Sequence, residues 1–175
     1  MLRKLLHTKH DYVLTLLRFA LGVTFFAHGA QKVLGWWGGS GLSSTMQIFT
    51  HGMRIPAPFA ALAIFAEFLG GMGLLLGLLT RVAAFGIAVN MIVAVFLVHL
   101  PNGFFMNWYG TQKGEGFEYH LLAIALAAIL IVRGAGAWSL DRILAGSLEA
   151  SRSPQRPKRH GVPQGFGGRN PVLPL

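Results

Sequence analysis

Four apolar stretches dominate this chain, at residues 12–34, 58–79, 82–100 and 117–132. An α-helix rises ~1.5 Å per residue, so about 20 residues cross the ~30 Å hydrocarbon core of a bilayer. The first three stretches reach that length, and the fourth is somewhat shorter. The pattern predicts an all-α, polytopic membrane protein that folds as an antiparallel bundle of four transmembrane helices.

The distribution of charge supports a membrane protein with one folded domain. Charged residues make up 12% of the 175 residues, about half the share of a typical soluble domain. The predicted helices and loops fill residues 1–148, which leaves no room for a separate soluble catalytic domain. Residues 149–175 are basic and rich in proline and glycine, as is typical of a disordered cytoplasmic tail. Because the excess positive charge clusters at the two tails, it argues for membrane orientation and against nucleic-acid binding.

Lysine and arginine near the predicted helix ends indicate the topology. If the N-terminus is inside, the inner set is Arg3, Lys4, Lys9, Arg81, Arg133, Arg142 and Arg152, and the outer set is Lys32, Arg54 and Lys113. Cytoplasmic loops of membrane proteins carry the larger share of such residues. We therefore expect a protein of the bacterial inner membrane with both termini in the cytoplasm.

Two outer loops and one inner turn are expected to connect the helices. Residues 35–57 and 101–116 form the outer loops, and a tight turn at Thr80–Arg81 joins the second and third helices. Apolar residues at helical spacing in the first outer loop predict a short interfacial helix. We expect Ser43 or Ser44 to cap that helix and Gly52 to end it.

Ionisable side chains within the apolar stretches need a structural or functional reason, because burying them in lipid is costly. Glu67 is the one acidic residue predicted near the bilayer centre, so we expect it to pair with Arg18 or His28, or to be protonated. Lys32 is expected to extend towards the outer head groups. The Glu67 pair has two interpretations: it fixes the helix register, or it handles protons or a ligand.

Most of the polar side chains fall in the outer half of the predicted bundle and form a candidate polar pocket. Its members are Arg18, His28, Gln31, Glu67, Asn90, His99, Glu118 and Tyr119. Such a pocket suits a quinone head group, which needs two hydrogen-bond partners and a flat apolar slot. A haem or a metal ion is disfavoured, since no ligand pair lies three or four positions apart on one helix. The absence of cysteine excludes a cysteine-ligated iron–sulfur cluster.

Glycines recur on the first two predicted helices, where they let another helix approach closely. The candidate packing glycines are Gly22, Gly29, Gly70, Gly71, Gly73 and Gly77.

An ordered set of motifs carries a family resemblance over residues 14–144. The motifs are residues 17–22 with 28–32, 35–42, 67–71 with 77–81, 99–104, 116–119 and 139–142. In this order they resemble the DoxX family of bacterial four-helix membrane proteins. The resemblance implies an antiparallel four-helix bundle and a redox association, because relatives are described as oxidoreductases or as membrane subunits of thiosulfate:quinone oxidoreductase. It supplies no set of catalytic residues.

Three functions remain open at this point. The first is a redox-associated membrane subunit that binds a quinone, and the second is a non-catalytic membrane anchor for a partner oxidoreductase. The third is a small-solute or proton transporter built around Glu67, which is less favoured because the sequence has no inverted repeat. The lipid bilayer is the one partner that the sequence predicts directly, and the oligomeric state stays open.

Overall fold

The computed structural model describes residues 5–150, and this part of the chain is helical with no strands. The helices are α1 (Tyr12–Leu34), α2 (Gly41–Gln47), α3 (Ala57–Leu76), α4 (Thr80–Ala94), α5 (Glu118–Arg133) and α6 (Leu140–Ala150). Helix α2 continues into a π-helical turn at Ile48–Gly52, and α4 continues into another at Val95–His99. The predicted tail lies outside the described residues from residue 151 onwards.

Three helical segments are long and apolar enough to cross a membrane: Tyr12–Leu34, Ala57–Leu76 and Thr80–Asn102. The third segment is α4 together with its π-helical turn and a short 3₁₀ turn at Leu100–Asn102. Helix α5 has 16 residues and is shorter than those spans. The prediction of apolar membrane helices is confirmed for the first three stretches.

The predicted turn at Thr80–Arg81 is wrong, because both residues belong to α4. The chain reverses direction at residues 77–79, where Gly77 and Leu79 have φ angles of 65° and 49°. A glycine just after a helix adopts this left-handed conformation without steric cost and ends α3. The side chain of Asp141, far away in sequence, satisfies the first amides of α4 and so lets that helix begin at Thr80.

The core lies where α1, α3, α4 and α5 meet. Its buried members are Leu21, Phe25, Leu74, Ala84, Ile87, Ala88, Met91, Ala123, Ala127 and Leu130. Each helix also turns large apolar side chains outwards, such as Leu16 on α1, Phe59 on α3 and Phe85 on α4. Apolar residues on both faces are typical of helices that pack on one side and meet lipid on the other.

Glycines bring α1 and α3 into close contact. A Cβ atom on Gly29 would overlap the backbone of Phe68, and one on Gly71 would overlap the backbone of Phe26. A Cβ atom on Gly22 would lie 3.0 Å from the amide nitrogen of Leu75.

The remaining candidate glycines have different neighbours. Gly70 faces Ile87 of α4, and Gly73 faces the carbonyl of Leu78 in the turn. Gly77 lies against Ser139 and the Arg18 guanidinium.

The interfacial segment of the first loop begins earlier than predicted. Helix α2 starts at Gly41, and Ser40 precedes it without a capping hydrogen bond from its side chain. The expected cap at Ser43 or Ser44 is therefore wrong, since both residues lie inside the helix. The π-helical turn ends at Gly52, where the interfacial helix was expected to end.

The two ends of the packed helices differ, and we name them here. The loop end carries residues 35–56 and 103–117. The terminal end is where α1 begins, α3 ends and α4 begins, and residues 134–139 and α6 pack there. Helix α6 was not predicted from the sequence.

Candidate functional site

Arg18 is fully buried at the terminal end and is satisfied by backbone carbonyl groups. Its guanidinium donates to Leu75 O at 2.9 Å, to Ala135 O at 3.0 Å and to Trp138 O at 3.0 Å, and also to Leu74 O. The predicted pairing of Arg18 with Glu67 is wrong. The carbonyls in the last turn of a helix lack a full set of partners within that helix and carry its partial negative charge, so the end of α3 attracts the guanidinium.

Glu67 instead joins three helices through its side chain at the middle of α3. Its Oε2 lies 2.5 Å from Nζ of Lys32 on α1, and its Oε1 accepts a hydrogen bond of 3.0 Å from Nδ2 of Asn90 on α4. Glu67 is 7% exposed, while the side chain of Lys32 is 26% exposed. We call Lys32, Glu67 and Asn90 the polar triad.

The pairing with Lys32 corrects two expectations, namely the Glu67–His28 pair and the extension of Lys32 to the head groups. Its cause is the close contact at Gly29, which presses α1 against the backbone of Glu67 and Phe68. Lys32 lies three residues after Gly29 and therefore on the same face of α1. Its flexible stem reaches back to the carboxylate, because a charge pair in a low-dielectric region is far better than two separate charges.

A pocket of about 320 Å³ opens at the loop end between α1 and the α2 segment. It is lined by Gln31, Lys32, Gly38, Gly39, Ser40, Thr45, Ile48 and Phe49. Gln31, Lys32 and Ser40 present polar groups, and Ile48 and Phe49 form an apolar side. Lys32 belongs both to this lining and to the polar triad.

Thr45 fixes one wall of this pocket. Its hydroxyl donates to Gly41 O at 2.7 Å and lies 3.2 Å from Lys32 O, so it ties α2 to the last turn of α1. Gly39 packs directly against the backbone of Gln31, where any Cβ would overlap it. The loop is therefore held against α1 at two points.

The aromatic and histidine side chains of the loop end form a second group. The Tyr119 ring stacks on Phe25 at 6.4 Å and meets His28 edge-on at 6.5 Å. The rings of His99 and His120 lie 3.9 Å apart, and Nδ1 of His99 is 2.8 Å from Glu115 O. The Tyr119 hydroxyl and Nδ1 of His120 are buried without a hydrogen-bond partner among the described residues.

The sequence-predicted pocket residues thus occupy separate places. Glu67 and Asn90 meet in the polar triad, and Gln31 lines the pocket beside it. His28 is exposed and touches Tyr119, while Glu118 accepts a hydrogen bond of 3.1 Å from Trp108 Nε1 in the second loop. His99 packs on His120, whose ring lies 5.4 Å from that of Tyr119, and Arg18 alone lies at the terminal end.

The pocket lining includes residues that the sequence analysis did not propose as site residues. Lys32, Ser40, Thr45 and Phe49 are among them. A signal for Lys32 was present, because Gly29 and Lys32 share a helix face and a glycine predicts a close helix contact. Ser40 and Thr45 carry no comparable signal, since their position depends on how the loop folds back.

Apolar helices of spanning length, packed through glycines around a few paired charges, define an integral membrane protein. A family model described as DoxX matches residues 13–100, and the chain belongs to the DoxX family. The resemblance proposed from the motifs is confirmed.

Named relatives agree with a membrane location. Inner membrane protein YqjF of Escherichia coli is 31% identical over 127 residues, which are 73% of this chain and 88% of that protein. An uncharacterized membrane protein of Mycobacterium tuberculosis is 31% identical over 147 residues, 81% of this chain and 86% of the relative. This chain is accordingly a membrane protein of the bacterial inner-membrane type.

One relative has a name that refers to redox chemistry. The Bacillus subtilis protein named "Putative oxidoreductase CatD" is 32% identical over 111 residues, 63% of this chain and 72% of that protein. No solved structure matches the chain.

Proposed function

We propose that this protein is a redox-associated membrane subunit that holds a quinone head group in the pocket at the loop end. The observation that carries the proposal is the double role of Lys32. This residue lines the pocket, and its side chain pairs with the buried carboxylate of Glu67. A ligand in this pocket would therefore contact a residue whose charge is paired within the helix core.

The pocket has the features that a quinone head group requires. Lys32 and Gln31 offer hydrogen-bond donors for carbonyl oxygens, and Ile48 and Phe49 offer an apolar surface for a flat ring. The volume of about 320 Å³ lies at the lower end of the range of small-molecule sites, ~300–1,000 Å³. A quinone, when bound, supplies two-electron chemistry that also takes up two protons.

The polar triad can hold a proton next to that pocket. Asn90 donates to one carboxylate oxygen of Glu67, which leaves the other oxygen to Lys32. This arrangement orients the carboxylate towards α1, with Oε2 2.5 Å from Nζ of Lys32. Ionisable groups within membrane segments commonly mark such proton or ligand positions.

We propose that the electrons come from a partner oxidoreductase docked on the membrane domain. The chain has no cysteine, so thiol redox chemistry and cysteine-ligated clusters are excluded as its own electron carriers. The name of the Bacillus subtilis relative supports a redox setting.

The quinone proposal is tested by titrating the protein in nanodiscs with a short-chain ubiquinone and following tryptophan fluorescence. Trp36 and Trp37 precede the pocket residue Gly38 and would report binding by quenching. Lys32→Met is expected to raise the Kd at least about tenfold, because a hydrogen bond from a charged donor contributes about 1.5–3 kcal/mol. Gln31→Leu, which leaves the polar triad intact, is expected to raise it by a smaller factor.

Lys113→Met is the matched control, since Lys113 is an exposed lysine in the other loop at the same end. Its Kd should equal that of the wild type. If Lys32→Met and Gln31→Leu both bind the quinone as the wild type does, this pocket is not the quinone site and the proposal is wrong.

We propose further that α5 is a fourth span and that the bundle is antiparallel with both termini in the cytoplasm. Helix α5 contributes Ala127 and Leu130 to the core and exposes Leu122 and Val132. Sixteen residues rise ~24 Å, a deficit that local thinning of the bilayer accommodates.

This topology predicts a labelling pattern, and the cysteine-free chain makes it simple to measure. A membrane-impermeant thiol reagent applied to intact cells should modify Lys113→Cys. It should modify Lys9→Cys and Arg142→Cys only after the membrane is opened. Labelling of Arg142→Cys from outside would mean that α5 does not cross the bilayer.

A further inference from the structure

Four ring side chains contact one another in turn across the loop end, and we call them the ring row. His28 on α1 meets Tyr119 of α5 edge-on at 6.5 Å, and the rings of Tyr119 and His120 lie 5.4 Å apart. The His120 ring lies 3.9 Å from that of His99, which belongs to the π-helical turn after α4. The row therefore joins three helices, and none of its members lines the pocket between α1 and α2.

His99 joins this row from an irregular stretch of backbone. It ends the π-helical turn at Val95–His99, and such turns within helices occur frequently at functional sites. Nδ1 of His99 lies 2.8 Å from Glu115 O. Because a carbonyl oxygen only accepts, Nδ1 carries the proton of this hydrogen bond. Nε2 of the neutral His99 ring is then left as an acceptor.

Two polar atoms of the row are buried without a protein partner. The hydroxyl of Tyr119 and Nδ1 of His120 make no hydrogen bond to any of the described residues, and His120 is 5% exposed. Buried polar side-chain atoms nearly always have a partner, either protein or ordered water, because an unpaired one loses the hydrogen bonds that it makes to water in the unfolded chain. Two such atoms on consecutive residues point to a small guest that supplies hydrogen bonds at the start of α5.

The geometry of the row argues against a metal ion as this guest. An ion bound to both His99 and His120 would lie ~2.0–2.1 Å from each ring nitrogen and would hold the ring centres about 5 Å apart. The observed separation is 3.9 Å. Within residues 5–150, moreover, no three His, Cys, Asp or Glu side chains come together in a group that could hold an ion.

Water matches the hydrogen-bonding chemistry of the row. The Tyr119 hydroxyl can donate and accept, and a neutral His120 ring has one donor and one acceptor nitrogen. Buried water typically makes about three hydrogen bonds to polar groups that are otherwise unpaired. The Tyr119 hydroxyl and Nδ1 of His120 supply two such groups, and Nε2 of His99 supplies a further acceptor in the same row.

We propose that Tyr119 and His120 form a water-binding site inside the bundle. The bound water bridges the Tyr119 hydroxyl and Nδ1 of His120. His99 is half-buried and borders the second loop, so this water exchanges with solvent at the loop end. The site gives a buried histidine ring contact with exchangeable protons. It is separate from the quinone pocket and does not depend on it.

Water-edited solid-state NMR of the full chain in lipid bilayers tests the proposal, because it measures magnetisation transfer from water to single residues. The ring signals of His120, identified by their loss in His120→Phe, should grow at a rate close to that of His51, an exposed histidine in the first loop. They should grow several-fold faster than the signals of Ala123 and Ala127, which are equally buried on the same helix. If His120 grows as slowly as Ala127, the site is dry and the proposal is wrong.

The Tyr119→Phe variant gives a second, independent measurement. If the hydroxyl binds water, its removal should lower the unfolding midpoint in detergent by a few degrees and slow the transfer from water to His120 several-fold. Tyr109→Phe is the matched control, since Tyr109 is 91% exposed in the second loop, and it should change neither quantity. A midpoint of Tyr119→Phe equal to or above that of the wild type would show that the hydroxyl has no partner there and would overturn the proposal.

The same spectra distinguish water from a bound ion. Treatment with a chelator should leave the ring nitrogen signals of His120 unchanged. A shift of these signals after chelation would assign the site to a metal ion and would also overturn the proposal.

Discussion

Helix α1 carries one buried cation and one half-buried cation, and the two are satisfied in opposite ways. Arg18 at the terminal end donates to main-chain carbonyls, while Lys32 near the loop end pairs with a side-chain carboxylate and also lines a pocket. Carbonyl groups do not titrate and cannot leave the backbone, so the Arg18 contacts belong to the architecture. In the proposed function, a ligand would replace the Lys32 contact. On that proposal, a charge inside a membrane helix points to function only when its partner is free to change.

The largest expected effect tests the architectural side of this comparison. Arg18→Met removes the donor from the carbonyls of Leu75, Ala135 and Trp138 and should lower the free energy of unfolding by at least about 3 kcal/mol, since each buried unsatisfied group costs about 1–3 kcal/mol. Thermal unfolding in detergent measures the effect. Arg142→Met, an exposed arginine at the same end, should melt close to the wild type. Equal melting of both variants would show that the Arg18 contacts do not hold the terminal end together.

A smaller effect is expected where α1 and α3 touch. Gly71→Ala puts a methyl group into the backbone of Phe26, which should cost about 1–3 kcal/mol as overpacking does in other cores. Gly86→Ala is the matched control, because its Cβ would meet only Ala66 at 3.7 Å. That variant should be neutral or slightly stabilised, by up to about 1 kcal/mol from helix propensity. The unfolding midpoints of the two variants, measured in the same detergent, test this prediction.

The terminal end also depends on a long-range cap. Asp141→Ala removes the acceptor for the amides of Leu79 and Thr80 and should cost about 1–2 kcal/mol, as the loss of a helix cap does. Hydrogen exchange at these two amides should accelerate more than exchange at the centre of α4. Asp11→Ala, which removes the cap of α1 at a more exposed position, is expected to cost less. Unchanged exchange at Leu79 and Thr80 would contradict the capping role.

The smallest effect concerns the exchangeable pair. A double-mutant cycle with Lys32→Met and Glu67→Gln should give a coupling energy of about 1 kcal/mol, near the upper end for exposed pairs, because the Lys32 side chain is partly exposed. Each single variant should destabilise the protein less than Arg18→Met does. If Lys32→Met lowers the free energy of unfolding as much as Arg18→Met does, Lys32 is as much a part of the architecture as Arg18 is.

The helices were largely predictable, because hydropathy alone determines where a chain can be buried in lipid. Helix α1 matches its predicted bounds of 12–34, and α5 differs from its prediction by one residue at each end. The turn between α3 and α4 was misplaced because its position depends on Asp141, about sixty residues later in the chain. The local sequence cannot predict a helix cap whose side chain belongs to another element.

The partners of the charges were less predictable. Counting residues from the helix ends gives the depth of each side chain in the bilayer, but it does not give the rotation of a helix about its axis. On depth alone, Arg18 and His28 were both acceptable partners for Glu67. The close contact at Gly29 rotates α1 so that Lys32 faces Glu67 instead. Helix α6 was not predicted because its apolar face spans only three turns. It also adjoins the basic segment that was interpreted as a disordered tail.

The carbonyl partners of Arg18 also constrain the order of biosynthesis. Arg18 leaves the ribosome early, Leu74 and Leu75 follow with α3, and Ala135 and Trp138 come last. During translation the first helix must therefore enter the translocon with a guanidinium whose final acceptors do not yet exist. We expect nascent chains that stall before residue 135 to hold this helix loosely and to be preferred substrates for membrane quality-control proteases.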